Sequence, residues 1–83
     1  MNKIKLQTGN VYIIKKGYNI EKVLVLELTE TTVYLQNLDH DSLYKYRVDL
    51  KGYDFNNWII VEDLGNNLTL MEQFDELFNK FES

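Results

Sequence analysis

The 83-residue sequence predicts a mainly β domain: a five-stranded antiparallel sheet curled into a small barrel, followed by one C-terminal α-helix. Three observations carry this expectation. Short runs rich in Val, Ile, Tyr and Leu, suited to a pleated and half-buried surface, fill the first three-quarters of the chain. Turn-sized polar or Gly-containing clusters separate them. From Thr69 onward the apolar spacing becomes helical.

The first strand is "NVYIIKK" (10–16), bounded by Gly9 and Gly17. "EKVLVLEL" (21–28) follows, then "TETT" (29–32) as a tight turn and "VYLQNL" (33–38) as the third strand. "DHDS" (39–42) is a polar turn. In "LYKYRV" (43–48) Leu43, Lys45 and Arg47 alternate with Tyr44, Tyr46 and Val48, so the two sets point to opposite faces. "DLKGYDFNN" (49–57) is too polar for a strand and too short for a stable helix, so a turn or a single 3₁₀ turn is expected there. "WIIVE" (58–62) closes the set.

The C-terminal helix is expected within 69–82. Leu70, Phe74, Leu77, Phe78 and Phe81 fall at i, i+4, i+7, i+8 and i+11, one stripe of a helix running 70–81. Thr69 and Glu72 have capping-box spacing, and "LGNN" supplies the break before them. Phe74, Leu77, Phe78 and Phe81 are expected to be mostly buried, against the barrel or against a second copy in a homodimer. Exposed together they would form an apolar patch of the size that marks an interface. A helix of this length is marginal alone in water and needs a packing partner.

A chain this short forms a single domain, 1–83, and buries about 60–65% of its unfolded surface. It has no cysteine, so neither a disulfide nor a cysteine-ligated zinc can staple it. That also suits a reducing cytoplasm, the expected location. No apolar segment follows the basic start, and "VLVLEL" is too short to span a bilayer, so no membrane role is expected. The net charge of −4 is uneven: residues 1–53 carry +2 and residues 54–83 carry −6. An acidic end argues against general phosphate-backbone binding.

Five short strands over 10–63, hairpin-sized loops and a helical turn before the last strand resemble the small Src-homology-3-like barrels. The resemblance is one of element order. The "ALYDY" and proline-binding signatures of the peptide-binding members are missing, so polyproline recognition does not carry over. Nine Asn, frequent Lys, Ile and Tyr, and no Pro suggest an AT-rich coding sequence, as in short β-rich proteins of phages and low-GC bacteria.

No catalytic constellation is legible, and a non-enzyme without cofactor or metal is expected. There is no Cys nucleophile and no phosphate loop. Glu62 and Asp63 are neighbours on a strand and point apart. His40, flanked by Asp39 and Asp41, has no second His to share a metal with.

The aromatic residues are the candidate contact surface. "LYKYRVDLKGYDFNNW" (43–58) holds five rings, and six Tyr, four Phe and one Trp exceed what a small barrel encloses. Tyr44 and Tyr46 share a face with Val48 at the core or its rim, and Trp58 is placed to plug one barrel mouth. Tyr18, Tyr34 and Tyr53, in or beside loops, are the rings expected to be exposed. Partner binding through these residues, Lys45, Arg47 and the helix rings Phe74, Phe78 and Phe81 makes a small protein-binding module the expected function. An accessory or inhibitor protein of a phage or mobile element fits that description. The competing class is a nucleic-acid-binding barrel in which Lys45, Arg47 and exposed tyrosines clamp a single strand.

Overall fold

The computed structural model describes residues 6–39 and 45–82, leaving out the side chains of Asp54, Phe81 and Glu82. Its elements are β1 (Asn10–Lys16), β2 (Asn19–Leu28), β3 (Thr32–Asn37), β4 (Lys45–Asp49), α1 (Tyr53–Asn56), β5 (Trp58–Asn66) and α2 (Leu68–Glu82). The five strands form one antiparallel sheet in the order β4-β3-β2-β1-β5. The fold is mainly β with one C-terminal helix. His40, Asp41 and Tyr44, placed in a turn and a strand start by the sequence, lie outside the described residues.

The hairpins explain the meander. Gly17 has φ 63° and leads the two-residue turn between β1 and β2, a position that favours glycine and leaves Tyr18 at the tip. In "TETT" the Thr29 hydroxyl accepts hydrogen bonds from the amides of Thr31 (3.3 Å) and Thr32 (3.0 Å), closing the turn to β3. Gly9, φ 88°, lies so close to β5 that an added Cβ would meet Asn66 Nδ2 at 2.8 Å.

The sheet curls strongly. Laid flat, β4 and β5 would be four strand spacings apart, about 19 Å. Yet the Lys16 ammonium lies 5.4 Å from the Tyr46 ring of β4 and 5.1 Å from the Trp58 ring of β5. Register shifts between Val25 and Glu27, between Val11 and Tyr12, and between Ile13 and Ile14 supply the bends. The expected barrel is not closed: among the described residues no ladder joins β4 to β5, and these two strands are the edges.

Both faces of the sheet are covered, which accounts for the unbroken "VLVL" run at 23–26. Val23 and Val25 join Tyr12, Ile14, Val33, Leu35, Phe55 and Trp58 in a core on the inner face. Leu24 and Leu26 join Val11 on the outer face, where Leu70, Met71, Phe74 and Phe78 of α2 pack on them. The helix therefore packs in cis on one face of the sheet.

Several boundaries and contacts differ from the sequence expectation. β2 starts at Asn19, and β5 runs on to Asn66 because bulges carry it through the acidic Glu62–Asp63 pair. α1 is a four-residue α-turn where a 3₁₀ or simple turn was expected; the Asn57 side chain ties it down by donating to the Tyr53 carbonyl at 2.7 Å. The N-cap of α2 is Asn67 and not Thr69. The Asn67 Oδ1 accepts from the Leu70 amide at 3.0 Å, and its carbonyl accepts from the Met71 amide at 3.0 Å. Leu77 is 40% exposed and not buried, because the contact stripe runs through residues 70, 71, 74 and 78 and leaves Leu77 at its edge. Phe74 and Phe78 are half-buried, and the Phe81 side chain lies outside the described set.

Candidate functional site

At the α1 end of the sheet an open cleft of about 1020 Å³ lies between the β1–β2 turn and the β4–α1 connection. Its walls include Lys16, Gly17, Tyr46, Asp49, Tyr53 and Trp58. Each is placed by a simple local cause. Alternation along β1 puts Lys16 on the inner face with Tyr12 and Ile14, and alternation along β4 puts Tyr46 there with Val48. Trp58 opens β5 and leans on Phe55 of α1, ring centroids 5.4 Å apart at a tilt of 55°. α1 thus holds the indole from behind.

Lys16 organises the floor. Its ammonium sits over the Tyr46 and Trp58 rings and 3.1 Å from Glu21 Oε1. Ile14 pairs with Glu21 and Lys16 with Asn19, so the ion pair is a cross-strand diagonal on the inner face. The Glu21 oxygen is buried and accepts no aligned hydrogen bond, so its contact with the ammonium is Coulombic. Both side chains are about one-quarter exposed, at 28% and 22%, which lets solvent weaken the pair without abolishing it. Tyr53 of the wall is 83% exposed, and Tyr18, the residue after Gly17, is fully exposed at the tip of the β1–β2 turn.

The structure divides the aromatic and basic residues of the sequence reading into two groups. Tyr46, Tyr53 and Trp58 line the cleft, and Tyr18, fully exposed, follows Gly17 of its wall. Tyr34, expected to be exposed, is half-buried on the outer face beside α2. Lys45 lies over its ring at 5.8 Å and over the Phe78 ring at 5.4 Å. Arg47 pairs in register with Tyr34 on that outer-face side of β4 and is also one of the residues that line the cleft. The clamp of Lys45, Arg47, Tyr18, Tyr34 and Tyr53 on one strand of nucleic acid is therefore not assembled as a single surface. Phe74 and Phe78, 6.3 Å apart, face the chain's own sheet.

Sequence reasoning missed Lys16, Glu21 and Phe55. The first two were within reach: reading Gly17–Tyr18 as a two-residue turn sets the hairpin register and puts Lys16 diagonal to Glu21. Phe55 became legible only once α1 was known to be helical.

Among the described residues no group of three or more His, Cys, Asp or Glu is placed to hold a metal ion. No helix of the described residues is long and apolar enough to cross a membrane. Asp39 belongs to its turn, its carboxylate accepting from the Lys22 amide at 3.0 Å. Comparison with protein-family models, with curated proteins and with solved structures finds no match.

Proposed function

We propose that this chain is a small, non-catalytic protein-binding module whose partner seats in the cleft walled by Tyr53 and by the Gly17 turn that carries Tyr18. The observation that carries this reading is the exposed Tyr53 beside a floor of Trp58, Tyr46 and the paired Lys16, with exposed Tyr18 next to Gly17 of the wall. Rings with one apolar face and one polar end suit the centre of a protein interface. A floor already held by α1 and by the ion pair loses little freedom on binding, which favours affinity. The charge of the cleft is mixed, with Arg47 and Asp49 in its walls and Glu21 paired to Lys16, and mixed charge suits a protein surface better than a phosphate backbone. An accessory or inhibitor protein of a phage or mobile element would have this form.

The test compares wild type with Tyr18→Ala/Tyr53→Ala as bait in a host lysate, alongside titration of labelled single-stranded DNA and RNA at low salt. The reading expects a captured protein that the double variant loses at unchanged melting temperature, with no nucleic-acid binding. Capture that ignores both tyrosines defeats it. Tight, salt-sensitive binding of a single strand would establish the nucleic-acid alternative instead.

A further inference from the structure

The two edges of the sheet differ in charge and in apolar exposure. β4 is a short edge, five residues, with Lys45, Arg47 and Asp49 exposed along it. β5 is nine residues long and exposes Ile59, Val61 and Leu64 around an acidic centre, Glu62–Asp63. Neither strand has an outer neighbour among the described residues. A long edge with exposed apolar side chains is a template for another strand, whereas short and charged edges resist one. β5 has the first character although two bulges interrupt it, and the charges of β4 restrict it to an edge of complementary charge.

From this we infer that β5 of one copy takes up β4 of the next, joining copies head to tail. Charge decides between the possible pairings. Two β5 strands centred on each other would set Glu62 against its own copy, and two β4 strands would do the same with Arg47; like charges directly opposed destabilise a ladder. Setting β4 against β5 centre to centre brings Arg47 to the Glu62–Asp63 pair instead. Glu62 pairs with Ile13 and points to the outer face, while Asp63 pairs with Tyr12 and points to the inner one. Arg47 of a neighbour therefore meets a carboxylate whichever way round that neighbour is turned. Among the described residues neither Arg47 nor Glu62 has an ion-pair partner within its own chain. The same polarity runs through the whole chain, +2 over residues 1–53 and −6 over residues 54–83. Head-to-tail contacts do not close on a dimer; they continue into a ring or a filament.

Sedimentation velocity of the full chain over a concentration series at low salt tests this. Wild type should form species larger than a dimer that dissociate as salt rises. Arg47→Glu should weaken association about tenfold, since it replaces an attraction with a repulsion at each junction. Glu62→Lys/Asp63→Lys should do the same, and mixing it with Arg47→Glu should restore assembly, because each then offers the other a complementary edge. Asp63 also accepts the Gly65 amide at 2.8 Å, so that variant's fold is checked by circular dichroism. Ile59→Lys, at an exposed position, provides a second disruption that leaves Asp63 intact. A wild type that stays monomeric throughout overturns the proposal. So does assembly that stops at a dimer, assembly indifferent to Arg47→Glu and Ile59→Lys, or failure of the two folded charge variants to rescue each other.

Discussion

The inner and outer faces of the sheet are sealed in different ways. All five strands contribute to the inner cluster, whose buried members Tyr12, Ile14, Val25, Val33 and Leu35 come from three consecutive, mutually paired strands. The outer cluster has three buried residues, Val11, Leu24 and Leu26, and its cover is a helix that touches them with half-buried side chains. Each face also carries a lysine over a pair of rings. Lys16 is held by Glu21 and bridges two strands, whereas Lys45 bridges the sheet to the helix. The inner face is thus built from packing shared by all five hydrogen-bonded strands, and the outer face is finished by one helix laid across it. The contrast implies that global stability resides on the inner side, with α2 as a cover that opens more easily.

Mutations can break or sharpen that contrast. The largest effect is expected at Trp58, buried on the inner face: Trp58→Ala should cost about 3–5 kcal/mol in a denaturant titration, enough to unfold a marginal domain. Ending the chain at Asn67 should cost less, on the order of 1–3 kcal/mol, since half-buried apolar contacts are offset by the freedom the helix regains. The shortened chain should keep its strand signal in circular dichroism and should self-associate through the uncovered Leu24 face. Loss of the strand signal would show that the two faces stand or fall together.

Asn67→Ala removes the cap of α2 and should lower stability by about 1 kcal/mol, with the change confined to the helical signal. Lys16→Met should cost about 1 kcal/mol, because Glu21 loses its counter-charge, and Lys45→Met about half as much. Thermal melts of the two methionine variants side by side would measure how unlike the two lysines are; equal losses would remove the distinction.

The regular parts of this fold were legible in the sequence, and the irregular parts were not. β1 has the expected bounds because glycines punctuate it at both ends, and Tyr46 and Val48 face inward as the alternation required. The helix showed itself through its period. The far half of β5 did not, because the bulges opposite Val11–Tyr12 and Ile13–Ile14 break strict alternation across Glu62 and Asp63. The N-cap shifted to Asn67 because either Asn67 or Thr69 can cap by residue type, and only the backbone path chooses between them. The cleft lay further out of reach. Tyr18, Tyr46, Tyr53 and Trp58 were all picked out by the sequence, but their separation from Tyr34 and Lys45 depends on the curl of the sheet, a non-local property.

Native-state hydrogen exchange, resolved residue by residue, tests the central contrast most directly. Amides of α2 should exchange through an opening of lower free energy than the one that exposes paired amides of β1, β2 and β3, and Asn67→Ala should widen this gap. If the α2 amides are protected to the same free energy as the central strands, the helix is an integral part of one cooperative unit and the distinction between the two faces is wrong.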